Sequence, residues 1–287
     1  MMEPVTRVPS APDARDRIII KPRKRRDAVV QLIRSARTTL LLSIFRCDDL
    51  EVLQALGEAA ARGVRVEVLV TSRAKGWGKR LAPLAACLQY MGVSVHRFPK
   101  AVPKYHAKYI IADRQTALIG TTNLTRKCFR RTRDFLFQTS DPQLVASVLA
   151  LFESDLYGEP PAPLNPRLIV APDGARERIE ELLLGARRSI RIMDHKLSDP
   201  RILRILRQRQ SEGIAIEVQQ ADPSGELTPH GRLLVIDSAV AVLGSLALSE
   251  KSLNERRELA VLIRQPELVA KLERQFDKHP HTIARAA

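Results

Sequence analysis

Apolar positions in this chain recur at two spacings, and the changes from one to the other mark out its elements. Ile18 to Ile20 form a short strand-like run, KPRKRR follows, and Val29, Val30, Leu32 and Ile33 then fall on one face of a helix. TTLLLSIF is apolar enough for a buried strand, LEVLQALGEAAARG reads as a helix stopped at Gly63, and VRVEVLV as the next strand. This β-α-β order predicts a parallel sheet covered by helices. The order returns downstream, with RERIEELLLGA as helix, RSIRIMD as strand, DPRILRILRQRQSEG as helix and IAIEVQQ as strand. ELVAKLERQFDKH closes the second half as PQLVASVLALFESDL closes the first, and the proline-rich DLYGEPPAPLNPRL between them predicts an extended linker. The expected layout is a mobile tail over 1–17, a first half over 18–158, a linker over 159–171, a second half over 172–278 and a tail over 279–287.

The stretch HAKYIIADRQTALIGTTNLTRKCFRRTRD, from His106 to Asp134, concentrates the polar chemistry. His106 and Lys108 are two apart in an apolar run, so a strand would present both on one face. Asp113 ends that strand, DRQT reads as a turn, and ALIG returns Gly120, Thr121 and Asn123 toward the start. From His230 the pattern recurs as HGRLLVIDSAVAVLGSLALSEKSLNERRE, without a gap, at an offset of 124. This register pairs Arg232 with Lys108, Asp237 with Asp113, Gly244 with Gly120, Ser245 with Thr121 and Glu258 with Asp134. The preceding elements repeat at an offset of 150, as in Ala36 with Ala186 and Gly63 with Gly213. The first half therefore holds 26 additional residues between Val70 and His106, which read as a basic loop, a helix and an additional strand, GVSVHRF. Such an insertion beside the hairpin is a place for substrate recognition. Trp77, flanked by Lys75, Lys79 and Arg80, offers either a stacking surface or ordinary packing on a helix.

At 287 residues, the length accommodates two units with cores of their own. A net charge of +15 and a pI near 10.3 predict attraction to polyanions: nucleic acid, an anionic membrane or a phosphorylated small molecule. Cys47, Cys87 and Cys128 are odd in number and lack C-x-x-C spacing, which fits core thiols in a reducing compartment. No apolar run has the roughly 20 residues needed to span a bilayer, and the N-terminus lacks the apolar segment of a signal peptide. The expected location is cytoplasmic or peripheral at a membrane. KPRKRR either grips phosphates or is a solvated helix entry; His195 at a strand end reads as structural, and His279 and His281 as inert.

The two copies resemble the phospholipase D superfamily, whose signature is H-x-K-x4-D-x6-G-S-x-N followed by an acidic residue. The first copy matches except for Thr121, and the second departs at Arg232 and Ala247. The resemblance implies two similar α/β halves related by a pseudo-twofold axis, with one active site at their seam. It implies that His106 attacks phosphorus to form a phosphohistidine while His230 serves as general acid and base. Lys108, Arg232 and Asn123 would hold the phosphoryl oxygens, Asp134 and Glu258 the imidazoles, and Thr121 and Ser245 would meet substrate; Trp77, among the cations of the inserted loop, is a further substrate-binding candidate outside the motif. Asp113, Gly120, Asp237 and Gly244 would be structural. Arginine keeps the charge of lysine and offers a fork to phosphate, whereas Ala247 donates nothing. No His-Glu-x-x-His or carboxylate cluster appears, so no cofactor and a metal-independent reaction are expected. The leading expectation is a phosphodiesterase or phosphatidyltransferase acting on phospholipid, similar to cardiolipin synthase-like bacterial proteins. The alternatives are a nuclease on the same scaffold and an inactive anion-binding module. With both motifs in one chain, a monomer suffices for one site.

Overall fold

The computed structural model describes residues 16–277 apart from 73, 75, 99–103 and 222–226. Lys75, His279, His281 and nearly all of both expected tails lie outside these residues. The first half runs β1 (Arg17–Ile19), α1 (Pro22–Ser35), β2 (Thr39–Ile44), α2 (Leu50–Ala61), β3 (Arg65–Val70), α3 (Gly78–Tyr90), β4 (Ser94–Arg97), β5 (Lys104–Tyr105), β6 (Tyr109–Ala112), β7 (Thr116–Gly120), α4 (Arg126–Arg131), β8 (Thr132–Arg133), β9 (Leu136–Thr139) and α5 (Pro142–Tyr157). The second runs β10 (Leu168–Ala171), α6 (Ala175–Leu184), β11 (Ser189–Met193), α7 (Pro200–Ser211), β12 (Ala215–Gln219), β13 (Thr228–Pro229), β14 (Leu233–Ile236), β15 (Val240–Gly244), α8 (Glu250–Asn254), β16 (Arg256–Ile263) and α9 (Pro266–Asp277). Leu168–Ala171, inside the stretch expected to be linker, is thus a strand. In the basic run KPRKRR, Lys21 is the N-cap of α1 and Pro22 to Arg26 form its first turn.

The strand order is β1-β9-β7-β6-β2-β3-β4 in one sheet and β10-β16-β15-β14-β11-β12 in the other, so the second repeats the first without β4. The inserted α3 and β4 therefore extend one edge of the first sheet. The β-α-β segments pair parallel, as their order predicts, and the hairpins make each sheet mixed. Within each half, parallel pairing joins β2-β3-β4 and β11-β12, while the two motif hairpins pair antiparallel. Each hairpin turns on two consecutive residues with positive φ, Asp113 (51°) with Arg114 (57°), and Asp237 (54°) with Ser238 (55°). Such turns match the right-handed twist of the strands. The Asp113 carboxylate accepts from the backbone N–H groups of Arg37, Thr38 and Thr39, and Asp237 from those of Arg187, Arg188 and Ser189. Both aspartates tie their turn to the start of the neighbouring strand, at the end of the sheet away from the histidines.

Alternation along the strands distributes side chains between three cores. Leu40 and Leu42 of β2 face α1 and α2, while Leu41 faces the second sheet. Likewise Leu234 and Ile236 of β14 face the outer helices α6 and α7, and Leu233 and Val235 point inward. The inward residues of both sheets, with α5 and α9, form one continuous core across the seam.

The backbone also crosses the seam twice. β5, just before His106, pairs parallel with β16, and β13, just before His230, pairs parallel with β8. The two ladders are equivalent under the 124-residue offset. Each histidine is thereby seated beside the acidic strand of the other half. Gly231 permits this approach: a Cβ there would lie 2.6 Å from the Arg133 carbonyl oxygen. At Gly244 a Cβ would meet the Leu259 oxygen at 2.2 Å, so the β15–β16 crossing admits no side chain.

Candidate active site

Seating each histidine by the opposite half decides which carboxylate it meets. Nδ1 of His106 lies 2.7 Å from Oε2 of Glu258, and Nδ1 of His230 lies 2.8 Å from Oδ1 of Asp134. The pairs are crossed, and neither histidine meets the acid of its own motif. Both carboxylates are fully buried and held ionised. Burial alone would raise them, but His106 and Lys108 hold Glu258 at about 2, and His230 and Arg25 hold Asp134 at about 2. An ionised carboxylate accepts the Nδ1–H, which leaves Nε2 of each ring for chemistry. His106 is pushed well below the usual histidine range, by burial first and then by Lys108 against the opposing pull of Glu258. Burial thus favours its neutral form.

Lys108 and Arg232 are buried beside these pairs. Lys108 Nζ donates to the His106 carbonyl at 2.6 Å, and burial lowers its ammonium despite Glu258. Arg232 Nε lies 3.7 Å from Asp194, and its Nε and Nη1 are buried without a hydrogen-bond partner. Asn123 Nδ2 sits 3.2 Å from Nε2 of His230, on the ring edge opposite Asp134. The fully buried Ala247 offers no corresponding group, and its backbone N–H instead donates to Ser252, whose hydroxyl donates to Glu258.

Thr121 and Ser245 do not reach the pocket as expected; both are fully buried behind the histidines. Thr121 donates to Asp134 and accepts from the Phe135 N–H, and Ser245 accepts from the Leu259 N–H. Trp77 caps α3, packs partly against the first-half core, and lies beneath the guanidinium groups of Arg80 (5.4 Å) and Arg46 (5.9 Å).

Phe45 and Arg25 escaped the sequence reading, and His195, read there as structural, also neighbours the site. Phe45, at the end of β2, meets the His106 ring edge-on at 4.5 Å. His195, at the end of β11, lies nearly parallel to His230 with centroids 6.5 Å apart. The 150-residue offset places Phe45 and His195 at equivalent positions, a signal already present in the chain. Arg25, in the KPRKRR run, is 1 % exposed. Its guanidinium donates to the carbonyls of Ile20, Cys128, Thr132 and Asp134 and so fixes the loop that carries Asp134. Of the cysteines, Cys47 and Cys128 are buried and Cys87 is exposed, which corrects the expectation of three core thiols. Cys128, Asp134 and His230 bring one metal-ligating atom each within 4.8 Å of one another. A metal there would have to displace the contacts of Asp134 with His230, Thr121 and Thr132.

Two repeated α/β halves with crossed histidine–carboxylate pairs and two buried cations define a two-motif phospholipase D-like protein. The chain belongs to the family described as cardiolipin synthase, phospholipase D-like domain, whose model matches residues 29–156 and 170–279. It is 30 % identical over 129 residues to cardiolipin synthase A of Pseudomonas aeruginosa, covering 44 % of this chain and 26 % of that protein. The chain thus spans about a quarter of the length of that relative. Among solved structures it resembles polyphosphate kinase from Porphyromonas gingivalis, with TM-score 0.75 and 21 % identity over 91 % of this chain and 46 % of that one. It also resembles phosphatidylserine synthase from Haemophilus influenzae, with TM-score 0.70 and 14 % identity over 92 % and 85 %. At these identities the structural matches bear on fold. Among the described residues, no helix is long and apolar enough to cross a membrane.

Proposed function

We propose that the chain is a phospholipase D-type phosphodiesterase or phosphatidyltransferase acting on phospholipid presented at a membrane surface. The observation that carries this reading is the pair of crossed histidine–carboxylate contacts beside Lys108 and Arg232. Neutral His106 has its Nδ1–H engaged by Glu258 and presents the Nε2 lone pair to phosphorus. As the N–P bond forms, the P–O bond to the leaving alcohol breaks, and protonated His230 delivers the Nε2 proton to that oxygen. Neutral His230 then takes a proton from incoming water or alcohol, whose oxygen displaces His106. Lys108 and Arg232 neutralise the non-bridging oxygens, and the two unpartnered nitrogens of Arg232 leave donors for them. Asn123 adds an amide beside His230; turned over, the same amide would accept from protonated Nε2 through its buried, unpartnered Oδ1. In this scheme side chains supply the nucleophile, the acid and the charge neutralisation, so the step is written without a metal or cofactor.

Phospholipid is favoured by the family and by the cardiolipin synthase relative. A nuclease is the second reading, favoured by the exposed Arg126, Lys127, Arg130 and Arg131 of α4, which could follow a polynucleotide backbone. The test is turnover of mixed phospholipid vesicles and of single-stranded DNA in parallel, for wild type and His106→Ala. Lipid cleavage or transfer that falls at least about 10³-fold in the variant is expected. DNA cleavage alone would replace the leading reading with the second. Undiminished lipid turnover in the variant would refute His106 as nucleophile, and no turnover of either substrate would leave an anion-binding module.

A further inference from the structure

Lys104 and Arg256 face each other as direct partners across the β5–β16 ladder. Like charges placed opposite one another on adjacent strands repel. Both residues are half-buried, and among the described residues no ion pair is formed by either. The cationic group extends to the ring that flanks His106: Lys104 Nζ, Arg46 Cζ and Lys108 Nζ lie 5.0, 5.1 and 5.2 Å from the centroid of Phe45. Burial, then Arg256 and Lys196, lower the Lys104 ammonium to about 8. At the equivalent ladder on the His230 side the residues are Thr228 and Thr132, both neutral. The fold thus does not require charge at these positions, yet the His106 side concentrates it.

We propose that Lys104 and Arg256, with Arg46, form a second anion subsite beside His106 that binds a phosphate group other than the one attacked. The substrate class is accordingly a molecule with two phosphate groups, supplied either as a lipid headgroup or as a soluble phosphate chain. This deepens the proposed reaction and rests on it for the assignment of the attacked phosphate to His106 and Lys108. An anion over the ladder offsets the repulsion between its two cations, which makes binding at this position selective for a second charge.

The test is calorimetric binding of orthophosphate and pyrophosphate to the inert His106→Ala protein, with and without Lys104→Thr and Arg256→Thr. The threonines reproduce the other ladder, and thermal melting of the triple variant checks its fold. Pyrophosphate is expected to bind about tenfold tighter than orthophosphate, a preference the threonines abolish while orthophosphate affinity stays within about twofold. An unchanged preference in the threonine variant, or none in the parent, would overturn the subsite. Zwitterionic vesicles containing cardiolipin, or phosphatidylglycerol at equal total charge, distinguish the two sources. Tighter binding to cardiolipin that depends on Lys104 and Arg256 supports the lipid source; discrimination confined to pyrophosphate supports the soluble one. Because the binding protein is inert, failure of phospholipid turnover would sink the functional reading while leaving this result to stand or fall separately.

Discussion

His106 and His230 occupy equivalent positions in two equivalent ladders, but their surroundings differ. The His106 side chain is 6 % exposed and sits among Phe45, Lys108 and Glu258, with Lys104 and Arg256 close by; His230 is 22 % exposed, beside His195, Asn123 and Asp134. Burial and neighbouring cations favour the neutral form of the first imidazole, the form a nucleophile in the proposed reaction requires. The more open second position suits a group that exchanges protons with incoming water or alcohol. Support differs as well. Arg25 holds the Asp134 loop through three of its carbonyls, whereas the 150-residue offset puts the fully buried Ala175 at its counterpart, and Ser252 holds Glu258. Duplication thus preserved the backbone while the two sides came to present different chemistry.

Asp134→Asn and Glu258→Gln test the crossed pairing most severely. Each is expected to lower turnover by about 10³- to 10⁴-fold, since an amide can hold the wrong tautomer. If pairing followed the motifs instead of crossing them, nuclear magnetic resonance would show Glu258→Gln perturbing the His230 ring nitrogens and leaving those of His106 unchanged. Arg25→Met removes the support that only the first half has. A stability loss of about 3 kcal/mol in chemical denaturation is expected, from carbonyls left without their buried donor; a loss below 1 kcal/mol would show that α1 and α4 hold the loop unaided. Asn123→Ala makes the first half match Ala247 and is expected to reduce turnover about 10²-fold with little change in stability. Unchanged turnover would mean that the amide has no part in the reaction.

Lys104→Thr has the smallest expected effect. Its folded pKa of about 8 lies below the ordinary lysine value of 10.5, so between these values the unfolded chain binds more protons and wild-type stability rises with pH. The destabilisation is complete below pH 8 and gone above about 10.5. After solvent screening it amounts to about 1 kcal/mol, so the variant should be the more stable protein at pH 7, with the difference closing toward pH 10.5. A variant less stable at pH 7 would contradict the electrostatic contrast between the two ladders.

The hairpins were legible because HxK, the aspartate turn and the returning glycine are local and occur twice in register. The duplication and the extra edge strand followed from comparing the 124- and 150-residue offsets. The crossed contacts were not legible, because each carboxylate lies 28 residues after its own histidine and nothing local marks a contact across the seam. Arg25 was hidden in a run of cations whose neighbours Arg23 and Lys24 are exposed. A charge run gives no indication of which member turns inward. Phe45 and His195 were findable from the offset, but they sit outside the HxK pattern and have unlike side chains. Thr121 and Ser245 were assigned to substrate from motif position, whereas their hydroxyls serve the strand behind them.

The most direct test of this composite site is to quench the protein during turnover of a phosphodiester substrate and map the acid-labile phosphoryl adduct by mass spectrometry. The adduct is expected on His106, absent in His106→Ala and accumulating when His230→Ala blocks its hydrolysis. An adduct on His230, or none in a demonstrably active protein, would contradict this assignment.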